Sequence, residues 1–175
     1  MRGSVGQPGS PGSAGAGWLR RAGRLDLGGG ETVLWSVAEG RRGRRWRSVR
    51  RDAHGGLLSD LLLELDPDRR WTRLELATAS GILTLHPDPD GRAVHGNAVT
   101  ERGVLPLAFG WSPRHRLVVE GEPIAAVALG GSSSDASGDP GLVVSADLSL
   151  TAEETIVVPA WSPDRLPGPS WPLEP

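Results

Sequence analysis

The chain has 175 residues, 19 basic against 21 acidic side chains for a formal net charge of -2, and a 38% hydrophobic content diluted by 25 Gly and 15 Pro. Near-neutrality withholds the sustained positive field that general binding to nucleic acid or an anionic membrane requires. The absence of Cys excludes a disulfide framework and thiolate chemistry.

Residues 3–17 are almost entirely Gly, Ser, Pro and Ala, too poor in apolar area to offset their ordering entropy, and residues 1–30 are expected to form a disordered tail. A single β-rich domain is expected over 31–162, followed by a Pro-rich extended tail without sheet hydrogen bonds over 163–175. Residues 32–37 have a strand composition, and 39–43 form a turn into an Arg-rich strand over 44–51 whose apolar members are Trp46 and Val49. The Leu-rich run 57–65 fits a strand with Leu57, Ser59, Leu61, Leu63 and Leu65 on one face, or a helix striped by Leu58, Leu61, Leu62 and Leu65; its short span between Gly55-Gly56 and Asp66-Pro67 favours the strand. Trp71 to Leu76 alternates with period two, and Ile82 to His86 continues after Ser80-Gly81. The turns Asp66-Pro67-Asp68 and Asp88-Pro89-Asp90-Gly91 use Pro to preset φ, Asp to bond the turn backbone and Gly to accept positive φ. Farther on, 116–120 and 124–129 are expected as a hairpin around Gly121-Glu122-Pro123, 130–141 as a polar loop, 142–150 as one alternating strand and 155–160 as a last strand.

No run is apolar enough over about 18 residues to span a membrane, and no secretory h-region stands near the start, so cytoplasmic localisation is expected. No Gly-x-Gly-x-x-Gly, Walker or Gly-x-Ser-x-Gly motif occurs, so neither a nucleotide cofactor nor a serine hydrolase is expected. His86, Asp88, Asp90 and His95 form the densest group of metal-ligand types, but turn chemistry accounts for the aspartates and a cross-strand pair for the histidines; no metal is expected. The seven basic residues within Arg41 to Arg51 surround Trp46, a composition suited to an acidic partner or single-stranded nucleic acid, or to a solvated strand face. Seven Trp beside one Phe and no Tyr suit a core, and also the wall of a ligand cavity.

Trp46 in an Arg-rich strand, then Trp71-Thr72-Arg73, an Asp-rich turn ending at Gly91, His95-Gly96-Asn97 and Trp111-Ser112-Pro113 before Arg116-Leu117 follow one another in an order that resembles a bacterial glycolipid-binding family over about residues 32–129. The resemblance implies a curved β-roll or partly open barrel that binds an apolar or amphiphilic molecule without catalysis. Trp46, Trp71 and Trp111 would then supply apolar walls, and Arg73, His95 and Asn97 the polar contacts to a head group. The alternatives are an interaction module built on the Arg41 to Arg51 strand, and an enzyme with an unrecognised acid–base pair.

Overall fold

The computed structural model describes residues 18–112, 114–130, 140–153, 166 and 170–173. They form β1 (Trp18–Asp26), β2 (Thr32–Gly40), β3 (Gly43–Arg51), β4 (Leu57–Leu65), β5 (Trp71–Thr78), β6 (Gly81–Pro87), β7 (Ala93–Thr100), β8 (Gly103–Gly110), β9 (Arg116–Val119), α1 (Pro123–Leu129), β10 (Gly141–Val144), β11 (Leu150–Glu153) and β12 (Ser170–Leu173). Among the described residues, β1 to β8 pair in chain order as an antiparallel meander, extended by β12 beside β1 to nine strands. The fold is mainly antiparallel β, and the large sheet is not closed into a barrel.

Alternation decides which side chains face inward. On β2, Val33, Trp35 and Val37 are buried; on β4, Ser59, Leu61, Leu63 and Leu65; on β6, Leu83 and Leu85; on β7, Val94 and Ala98. Cross-strand register aligns them into rows such as Leu61–Leu76–Leu83–Ala98. Strict alternation along β5 would turn Trp71 outward with Arg73 and Glu75. A register shift between Glu64 and Leu65, which pairs Glu64 with Arg73 but Leu65 with Trp71, makes Thr72 the extra residue and returns Trp71 to the inner face. Gly96 is imposed by packing on that face, since a Cβ there would stand 1.9 Å from the Thr84 carbonyl oxygen.

Several expectations are corrected. The sheet begins at Trp18, inside the expected 1–30 tail, because the segment around Leu19, Arg21 and Leu25 has the alternation needed to pair with β2. Residues 170–173, expected to lack sheet hydrogen bonds, pair with 18–21; Pro172 is tolerated there because β12 is an edge strand. Residues 123–129 form a helix and no hairpin: Pro123 presets the first turn, three Ala favour helix, and Ile124 and Val127 bury one stripe with Pro123 and Ala125. β9 therefore pairs with β10 in parallel, across the helix, in a separate three-stranded sheet. The expected single strand over 142–150 breaks into β10 and β11 at a turn closed by Ser145 N–H to the Ser149 carbonyl (3.0 Å). Its Asp147 carboxylate accepts from Ser149 N–H at 2.9 Å, and hydrogen bonds from Ser149 hold that carboxyl below its usual range. The apolar tract Gly141–Val144 is buried at every position because it is the central strand of the small sheet.

Leu117, Val119, Ile124, Val127, Leu142, Val144 and Leu148 share one core with the inner face of the large sheet. The small layer is tied to it by Thr78 Oγ1 donating to the Ala146 carbonyl (2.9 Å) and Arg50 Nη1 donating to the Gly121 carbonyl (3.0 Å). Expectations for 1–17, 131–139 and 155–160 lie outside the described residues.

Candidate functional site

The six residues expected to line a binding site do not assemble; the sheet divides them. Trp46, Trp71 and Trp111 belong to the inner side. Trp46 packs against Trp35 with ring centroids 6.3 Å apart, and half-buried Trp111 meets Trp71 edge to face at 5.5 Å. His115 lies 5.2 Å from the Trp111 ring and is fixed by accepting from Ser112 N–H through Nδ1 at 2.7 Å. Arg73, His95 and Asn97 occupy the opposite parity to the buried positions Leu74, Val94 and Ala98 and therefore point outward. There Arg73 is ion-paired with Glu75, His95 lies opposite His86 and 3.2 Å from Asp88, and Asn97 is exposed. The expectation overlooked that polar head-group contacts and apolar walls must share one strand face.

The Arg-rich strand is similarly divided and partly neutralised. Arg45 and Arg47 face outward to Glu64 (3.5 Å) and Asp60 (2.9 Å) of β4, while Arg44 and Arg50 face inward to Glu39 (3.0 Å) and Glu31 (2.7 Å). Each of these four guanidinium groups has a carboxylate, whereas Arg41, Arg42 and Arg51 are exposed and Arg51 donates to the neutral Gly55 carbonyl (2.8 Å), so the strand is neutralised in part.

Two polar clusters on the inner face escaped the sequence reading. Glu122, 4% exposed at the start of α1, accepts hydrogen bonds from Ser59 Oγ and, at 3.3 Å, from Ser48 Oγ. Burial pushes its carboxyl above the usual range, while the Ser59 hydrogen bond, the Arg50 charge and the Ser48 hydrogen bond oppose the shift. The cluster locks α1 to β3 and β4. Its signal was a Ser at an inward position of two adjacent strands, since a buried hydroxyl needs a partner from another layer.

The second cluster comprises Arg21, Trp35 and Trp46. The guanidinium carbon of Arg21 lies 5.8 Å from the centroid of the Trp35 ring, and Trp46 adjoins Trp35. Arg21 Nε and both indole Nε1 atoms are buried and meet no acceptor. The sequence hid this group because Arg21 falls in the expected tail.

Among the described residues, no three His, Asp or Glu side chains converge as metal ligands, and no helix is long and apolar enough to cross a membrane. No family model matches the chain, and no curated protein or solved structure shows significant similarity to it.

Proposed function

We propose that the protein binds an apolar or amphiphilic ligand, without catalysis, against the inner face of its large sheet along β8. The observation that carries this reading is Leu105. Register sets it opposite Ala98 in the inner-face row, and Ala98 is 4% exposed, yet Leu105 is 60% exposed. Leu107 and Phe109, on the same face of β8, are only partly buried against the core. The apolar inner face thus runs one strand farther than its cover, and burying that margin against an alkyl chain is favourable in proportion to the area removed from water. The Trp71–Trp111 pair lies at the far end of the same margin. This is the ligand class implied by the glycolipid-binding resemblance, with the polar residues Arg73, His95 and Asn97 removed from the site. Carboxylates on Arg44, Arg45, Arg47 and Arg50 reduce the support for an acidic partner to the exposed Arg41, Arg42 and Arg51.

Titration with a dansyl-labelled fatty acid at low and high salt tests the proposal. Saturable binding of similar affinity at both salts is expected, at least tenfold weaker in Leu105→Asp at unchanged Tm. Equal affinity in Leu105→Asp, or steep loss of binding with salt, overturns it.

A further inference from the structure

Buried polar groups in folded proteins are nearly always hydrogen-bonded, so three orphaned donors in one place call for an explanation. Cross-strand register sets Arg21 opposite Val37, and Val37 opposite Trp46, in one inner-face row; Trp35 and Ser48 lie in the next. The unmatched atoms are Arg21 Nε, Trp35 Nε1 and Trp46 Nε1. Guanidinium and indole N–H groups donate and cannot accept, so these side chains cannot satisfy one another.

Charge points the same way. The other arginines on this face are balanced, Arg44 by Glu39 at 3.0 Å and Arg50 by Glu31 at 2.7 Å. Among the described residues Arg21 makes one hydrogen bond, at 3.3 Å from Nη2 to the neutral Leu166 carbonyl, and no carboxylate pairs with it. A water molecule could accept from one or two of the donors but would add no negative charge to the half-buried guanidinium, which the Trp35 ring at 5.8 Å stabilises only in part. An oxyanion answers both, because it offers several lone pairs to neighbouring donors and forms charge-assisted bonds with guanidinium.

We infer that Arg21, Trp35 and Trp46 form a binding site for an oxyanion, a phosphate or carboxylate group, recognised by one guanidinium and two indole N–H donors. Such a group belongs either to the head of the proposed amphiphile or to a free anion. The inference deepens the amphiphile reading in the first case and stands without it in the second.

The test uses the full chain labelled with nitrogen-15, whose indole Nε1–H resonances are assigned with Trp35→Phe and Trp46→Phe. Sodium phosphate is titrated at constant ionic strength against sodium chloride, and hexyl phosphate is titrated in parallel. The Trp35 and Trp46 signals should shift saturably with phosphate and not with chloride, and Arg21→Gln should weaken the response at least tenfold. Hexyl phosphate binding at least tenfold more tightly than inorganic phosphate identifies a head group; equal binding identifies a free anion. Unmoved indole signals, or the same shifts in Arg21→Gln, overturn the site. If Arg21→Gln fails to fold, the wild-type titration decides alone. The two proposals separate cleanly: fatty-acid binding sensitive to Leu105→Asp without any phosphate response sinks only this one.

Discussion

Trp71 and Trp111 meet edge to face with ring centroids 5.5 Å apart, although Trp71 opens β5 and Trp111 follows β8, three strand steps away. Those strands lie about 14 Å apart at roughly 4.8 Å per step, so the two indoles lean toward each other across the inner face.

Trp71→Ala should destabilise the protein by about 3 kcal/mol or more, the range for emptying a buried aromatic position. Trp71 is only 9% exposed. Urea unfolding of Trp71→Ala, Trp111→Ala and the double variant should give a coupling energy of about 0.5–1.5 kcal/mol. Additive single effects would mean that the ring contact contributes nothing beyond burial.

Glu122 makes stability depend on pH in a direction opposite to most carboxylates. Its folded pKa is raised, chiefly by burial, so the folded state holds the proton more tightly than the unfolded chain does. The resulting stabilisation is complete below the unfolded value of about 4.3 and is lost as pH rises through the folded value. Glu122→Gln should remove this contribution: the stability of wild type relative to the variant should fall between acid and neutral pH. A difference that rises with pH would show that Glu122 is held ionised.

On the outer face, Arg47 donates to both carboxylate oxygens of Asp60, and that hydrogen bond, followed by the charge of Asp60, raises its pKa. Because the pair is largely exposed, Arg47→Ala should change stability by no more than about 1 kcal/mol. Asp60→Asn with Glu64→Gln should free two cations and raise the salt concentration at which the protein elutes from heparin. Unchanged elution would mean that the carboxylates do not mask the strand.

Arg69 adopts φ 63° in the turn after β4, a region costly for residues with a Cβ, and it is exposed. Arg69→Gly relieves that strain and gives back part of the gain through a more flexible unfolded chain. A net stabilisation of up to about 1 kcal/mol is expected, read as a higher Tm. The same change at Leu148, also at positive φ (66°) but only 5% exposed, should destabilise, because there the lost burial outweighs the relieved strain.

The meander from β4 to β7 was legible in the amino-acid order because everything that specifies it is local. Period-two alternation selects the strands, Asp-Pro-Asp and Ser-Gly sequences turn the chain, and Ser59 falls on the same face as Leu61 and Leu63 by parity alone. Parity also sets Arg73, His95 and Asn97 against the buried face. Other features arise only when distant segments meet. The Ile124–Leu129 tract, a short continuous apolar run that suits a buried strand or a helix equally, becomes a helix where it packs over β3 and β4. The pairing of β9 with β10 joins segments on either side of that helix, and the inward turn of Trp71 depends on a register shift against β4. The buried donors of Arg21, Trp35 and Trp46 come together only because β1 joins β2, from the end of the chain most easily taken for a tail. Local patterns record which faces are apolar, whereas the register between remote strands and the layer that covers them are settled by tertiary packing, and these decide which polar atoms are left in search of a partner.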